Sequence, residues 1–297
     1  MTPALRFPLV LMLLAGVLSG CGKNTMKPVG SANDEQSAIV AELATPDNAA
    51  LLEDGISDDS NATGVASLTP GVGAIRPLTY WRQFRTRDRT FEFAFSDTDS
   101  TGRPTRAVVT IRSRLLGTFN IATALDSPRV RKPLDDLRVR RVLMRRVPGL
   151  HDPRVRWRVA ATSGVLVSSK DHTTRITSLR IQGGSLDTTI TDPLVFVRMR
   201  NVLRLEPNSS VTFTVTTDRN DDVLVLHRFD GRFLMTNNGD DTYSATLQLG
   251  LFARSMHHFG VDAMSHGTLF DDTLPYDSQY WILPYVLVPE QLEDPMP

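Results

Sequence analysis

The chain has 297 residues, 33 basic against 33 acidic side chains and a formal net charge of zero, so no global field draws it onto nucleic acid or an anionic membrane. Its single cysteine, Cys21, excludes an internal disulfide, and the ordered part must hold together by core burial. Beyond the leader and linker described next, roughly 220 residues remain, enough for one large sandwich or two ordinary domains.

Residues 1–20 have the pattern of an export signal. Arg6 and the amino terminus form a thin positive region, and Phe7 to Val17 form an apolar run of 11 residues. Such a run is too short to span a hydrocarbon core of about 30 Å, but it suits a segment that is removed. Leu18-Ser19-Gly20-Cys21 follows, with small residues directly before a cysteine. This tetrapeptide resembles the lipobox of bacterial lipoprotein precursors. The resemblance implies cleavage before Cys21, lipidation of its thiol and attachment to a membrane of the bacterial cell envelope. Gly22 stands where inner-membrane lipoproteins of many Gram-negative bacteria carry Asp, which by the same resemblance implies the outer membrane. The open alternative is an ordinary secreted precursor with a chance cysteine.

Residues 21–75 hold no aromatic side chain and are punctuated by Pro28, Pro46 and Pro70. So little apolar surface predicts a disordered tether, with at most a transient helical turn at Ser37–Leu43. A partner-binding arm is the alternative.

Residues 76–188 are expected to form a β-rich domain, opening on Tyr80-Trp81 and Phe84. Phe91, Phe93 and Phe95 alternate with polar or small residues as in a half-buried strand. Asp97, Asp99 and Thr101 before Gly102 resemble the opening of a calcium loop, but Val108 occupies the twelfth position, where a glutamate is required. A side-chain-stabilised turn is the competing reading. Ala107–Ile111 and Leu115–Ala122 are the next strand candidates. Between Arg129 and Arg158, eleven basic residues then stand against Asp135, Asp136 and Asp152. Arg154, Arg156 and Arg158 alternate with Val155, Trp157 and Val159, which predicts arginines facing solvent. They are the candidate basic face for an anionic envelope polymer or a protein partner; a plain solvated face is the alternative. Nucleic acid is not an expected partner, because no aromatic platform interleaves with these arginines. Paired arginines at Arg140-Arg141 and Arg145-Arg146 break the alternation and predict a bulge.

Residues 189–297 are expected to form a second domain. Ser210–Thr217 alternates cleanly, and Asp230-Gly231 is a hairpin signal. Short strands at this spacing predict an all-β fold, an antiparallel β-sandwich. The strand spacing over 191–251 resembles immunoglobulin-like modules of bacterial envelope proteins, although the Cys…Trp…Cys pattern is absent. Asp221-Asp222 and Asp240-Asp241 are a calcium candidate if they meet at one end of the sandwich, and solvated turn acids otherwise. His258, Asp262 and His266 would share one face of a helix at i, i+4, i+8, which makes them the zinc candidate; surface histidines on a loop are the alternative. Tyr280–Val288 closes the domain as a strand that Pro284 places at an edge or bulge.

The expected function is a lipid-anchored envelope protein with a non-enzymatic binding, adhesion or scaffolding role, without catalytic residues. A metal-dependent hydrolase at His258, Asp262 and His266 is the alternative. No cofactor is expected beyond the calcium and zinc candidates.

Overall fold

A computed structural model describes residues 32–52, 62–65, 67, 75–123, 129–147, 157–198, 201–251 and 256–288. In chain order its elements are α1 (Ala32–Leu43), α2 (Pro46–Leu52), β1 (Thr63–Gly64), β2 (Thr79–Thr98), β3 (Pro104–Ala122), β4 (Val130–Arg146) and β5 (Trp157–Ser169). There follow β6 (Ile176–Gly183), β7 (Leu186–Ile190), β8 (Val197–Arg198), β9 (Leu203–Leu205), β10 (Ser210–Thr217), β11 (Val223–Arg228) and β12 (Gly231–Leu234). The described elements close with β13 (Thr236–Asn237), β14 (Thr242–Gln248), β15 (Met256–Met264), α3 (His266–Phe270) and β16 (Ser278–Leu287). Among the described residues no helix is long and apolar enough to cross a membrane.

The fold is an all-β sandwich of two sheets. One has the order β1-β2-β3-β4-β5-β16-β15-β11-β12, with β8 beside β5 and β9 parallel to β16. The other is β13-β14-β10-β6-β7. Their shared core follows from period-two alternation. Val211, Phe213 and Val215 of β10 face Phe259 and Val261 of β15 and Trp281 and Leu283 of β16. Phe213 and Phe259 meet edge to face, with ring centroids 5.0 Å apart.

The division expected at 188/189 runs through both sheets. The boundary falls inside β7, which pairs with β6; β6 pairs in turn with β10, and β5 pairs with β16. Region 191–251 is likewise shared: β10, β13 and β14 lie in the smaller sheet, β11 and β12 in the larger. Pro284 is not on an edge strand, because β16 lies between β5 and β15. It falls in the gap between the β5 pairing, which ends at Ile282, and the β9 pairing, which begins at Tyr285, where that side of β16 has no partner strand.

The larger sheet also curls over its other face. Strands β2 and β15 are five places apart, about 24 Å in a flat sheet at ~4.8 Å per strand, yet their side chains touch. Tyr80, Phe119, Ile121 and Leu134 from one end of the curl pack with Val223, Val225 and Met264 from the other, and with Leu269 and Phe270 of α3.

Beyond the curl, β2, β3 and β4 continue as a long arm. Its β2–β3 tip is turned by Asp97 (φ 52°) and Gly102 (φ 75°). Within the stretch expected to be a tether, 21–75, the described residues are structured against the arm and the curl. Ala38, Ile39 and Leu43 of α1 pack on Val109, Val142, Met144 and Trp157, while Val65 and Ile75 are buried in the curl. A short helix is marginal alone, and tertiary packing supplies what this stretch lacks in its own composition.

Candidate functional site

Of the residues singled out from sequence, Cys21, Arg154 and Arg156 lie outside the described residues. Arg158 is half exposed, and its Nη1 pairs with Glu42 Oε1 of α1 at 2.7 Å. The rule that arginines face solvent fails on β4. Its even-numbered residues form the covered row, and that row includes Lys132, Asp136, Arg138 and Arg140. Lys132 Nζ donates to the carbonyls of Gly267 and Asp271 at 2.8 and 2.6 Å, around α3. Arg140 Nη1 donates to the Leu52 carbonyl of α2. Arg141 lies over the Phe196 ring, and Arg114 pairs with Asp135. The expected bulge is present as register shifts between β4 and β5 at Arg140/Val142 and Leu143/Met144.

The zinc candidate does not assemble. His258 and Asp262 lie on strand β15 rather than on a helix, and His266 opens α3. Four strand residues span about 13 Å, where one helical turn would have stacked the two side chains. Gly260 between them leaves room for the Tyr280 ring, which a Cβ there would meet at 2.4 Å. Asp262 is also fully occupied. Its carboxylate accepts from Arg82 Nη1 and Nη2 at 2.7 and 2.9 Å and from Ser278 Oγ at 3.0 Å. Among the described residues no three His, Cys, Asp or Glu side chains group so as to hold a metal ion.

At the tip of the arm, Asp99 Oδ1 accepts from the Thr101 and Arg103 amides and the Thr101 hydroxyl, so it closes the turn instead of facing an ion. Asp240 accepts from the Thr242 hydroxyl, and Asp241 holds a left-handed turn conformation (φ 63°).

Two polar features do form. The first lies inside the curl around Arg82, which also donates Nε to Tyr276 Oη at 2.9 Å. Tyr276 Oη in turn donates to Asp136 Oδ2 at 3.2 Å. Burial pushes the Asp136 carboxyl up to about 7, with Arg82 opposing and Asp262 adding to the rise. Burial acts in the same direction on Asp262, but the Arg82 charge and hydrogen bonds outweigh it and hold that carboxyl below its usual value. Sequence reasoning missed this cluster, although one signal was present: Arg82 interrupts the stripe Tyr80, Arg82, Phe84, and a cation on a covered face demands a partner. Chemically the pair is closed, since the guanidinium and carboxylate satisfy one another. It locks the curl.

The second feature is a cleft of about 300 Å³ at one end of the sandwich, where the loop before β11 meets the link from β12 to β13 and α3. Val223, Leu224, Leu234, Met235 and Phe270 line its apolar part; Asp221, Asp222, Asn237, Tyr243 and His266 supply its polar part. Asp221 is clamped by Arg219 Nε and Nη2 at 2.9 and 3.0 Å. Asp222 Oδ1 accepts from Thr174 Oγ1 at 3.2 Å. Burial lifts the Asp222 carboxyl to about 7, against the pull of Arg219. The Tyr243 hydroxyl and Asn237 amide donate to the Arg219 and Asn220 carbonyls and so hold the acidic loop in place. Asp221-Asp222 drew attention in the sequence as a calcium candidate; the apolar wall beside it did not, because it is assembled from β11, β12 and α3.

No protein-family model, curated protein or solved structure matches this chain. Its function is therefore argued from its own residues.

Proposed function

We propose that this protein is a lipid-anchored component of a bacterial cell envelope with a non-enzymatic binding role. The observation that carries the reading is Leu18-Ser19-Gly20-Cys21 at the end of an 11-residue apolar run, in a chain with no other cysteine. The thiol then has one role, as the point of lipid attachment, and Gly22 favours the outer membrane. The sandwich supports a binding role: the buried Arg82 and Asp262 pair with one another inside the curl, whereas the cleft at its end combines an apolar wall with carboxylates.

The test is metabolic labelling with an alkyne-bearing fatty acid in a Gram-negative host, followed by membrane fractionation. The full chain is expected to carry label and to sediment with the outer membrane. Cys21→Ala should lose the label and stay unprocessed. A full-length wild-type protein without label, or label that survives Cys21→Ala, would overturn the anchor.

A further inference from the structure

We propose that the cleft between the β11 loop, the β12–β13 link and α3 is a binding site for a small organic ammonium ion with an apolar body, held by Asp222. This inference rests on the binding role proposed above but not on the anchor. The acidic loop alone would not carry it, since Asp221 is already satisfied by Arg219. Asp222 differs. The residue is 4% exposed and its side chain 0%, it is part of the cleft wall, and its Oδ2 has no hydrogen-bond partner, so a ligand reaches that oxygen only as the wall yields. A buried carboxylate oxygen without a donor is costly, and a ligand that brings a charged donor removes that cost.

The surroundings select the ligand's charge and shape. Asp218 and Asp221 lie on the same turn as Asp222, and the turn carrying Asp240 and Asp241 is tied to the end of β10 through Thr217 N and the Asp241 carbonyl at 3.0 Å; with only Arg219 among these acids, an anion is disfavoured. A metal ion is also a poor fit, because the described residues hold no cluster of three ligating side chains and Asp222 Oδ1 is taken by Thr174. Leu234, Met235 and Phe270 offer apolar contact within hydrocarbon reach of the acid, and His266 stacks on Phe270 with ring centroids 4.4 Å apart. A cleft of about 300 Å³ lies at the lower end of the range for small-molecule sites, roughly 300–1,000 Å³. One donor head and a body the size of a single ring match it.

Benzylammonium is the probe, with benzyl alcohol and benzoate as its neutral and anionic counterparts. Binding is followed by ligand-observed NMR on the full-length protein in detergent, with every variant measured in the same micelles. Saturable binding of benzylammonium is expected, with at least tenfold weaker binding of both counterparts. Asp222→Asn keeps the side-chain shape and is expected to weaken benzylammonium at least tenfold. Leu234→Trp, which fills the cleft and leaves the acid in place, is expected to do the same, and circular dichroism confirms that each variant is folded. Absence of saturable binding to the wild type would overturn the site. Equal binding of benzyl alcohol would overturn the charge requirement, and undiminished binding by folded Asp222→Asn would overturn the role of Asp222. None of these outcomes bears on lipidation of Cys21, which the labelling experiment decides separately.

Discussion

Arg82 of β2 and Asp262 of β15 form a bidentate ion pair, N···O 2.7 and 2.9 Å, between strands separated by four others in the same sheet. Both side chains are nearly or wholly buried, at 8% and 0% exposure. The pair therefore joins the two ends of a sheet that has rolled over, and it does so where water does not compete. The Arg82 guanidinium also lies within 6.0 Å of the Phe119, Tyr276 and Tyr280 ring centroids, so aromatic faces supply part of the solvation it has lost.

Removing one partner strands the other charge in the interior. Asp262→Asn and Arg82→Met are each expected to destabilise the protein by about 3–5 kcal/mol. Replacing both residues together, as Arg82→Met with Asp262→Leu, should cost less than the two single changes added, because no unpaired charge remains. Urea unfolding of the four proteins gives the coupling energy. A double variant as unstable as the sum of the singles would show that the pair does not act as a unit.

The acid range holds a second test. The folded-state pKa of Asp136 is raised to about 7, against an unfolded value near 3.9. The folded protein therefore binds this proton more tightly than the unfolded chain. The associated stability is fully present below about pH 4 and is lost as pH rises through 7. Asp222, also raised to about 7, acts in the same direction. Asp262 is depressed, so its contribution is present above about pH 4 and disappears only as pH falls through its lower folded value. Tm is accordingly expected to be higher at pH 5 than at pH 7.5. Asp136→Asn should flatten that slope. A Tm that climbs steadily from pH 5 to 7.5 would contradict the assignment.

The helical segment before the sheets is the third point of attack. Ile39 is fully buried, and α1 is further fixed by Trp157 Nε1 donating to Glu35 Oε2 at 2.8 Å and by Arg158 pairing with Glu42. Ile39→Asp places a charge on that apolar contact and is expected to release α1. Amide exchange within 32–43 should then approach that of a free peptide, while β10 stays protected. Protection of α1 retained in the variant would mean that the two polar anchors suffice.

How far the sequence reveals this molecule depends on where the partners of each residue lie. β10 was legible because Val211, Phe213 and Val215 alternate with threonines, and that pattern needs only local geometry. The β11–β12 hairpin was legible to within one residue. Arg228 pairs with Gly231, so Phe229-Asp230 forms the two-residue loop rather than Asp230-Gly231. α1 was legible only as the turn Ser37–Leu43, since its stability comes from Trp157 and Arg158, more than a hundred residues away. The covered row of β4 was not legible for a similar reason. Arg138 and Arg140 look solvent-bound until the arm supplies its covering helices, and Asp136 until Tyr276 arrives from beyond β15. For the site, Asp262 was singled out as a metal ligand, but the residue that claims it, Arg82, lies 180 positions earlier.

The glycines at close approaches give a last, sharper prediction. Gly117 of β3 lies opposite Phe84, beside the register shift that bends β2 between Phe84 and Thr86. A Cβ at this position would fall 2.1 Å from the Gln83 carbonyl oxygen and 3.0 Å from the Phe84 Cα. Both obstacles are backbone, so no side-chain rotation relieves them, and the two strands must separate where the sheet begins to curl. Gly117→Ala is therefore expected to cost about 3 kcal/mol or more, at the upper end for a single small substitution. Gly64 is the internal control: on β1 it has nothing within 4 Å of the same added atom, and its backbone needs no left-handed angle. Gly64→Ala should change stability by less than about 0.5 kcal/mol. Equal unfolding midpoints for the two variants would show that β2 and β3 move apart freely at the bulge, and the Arg82–Asp262 pair would then be closing a sheet with no fixed bend.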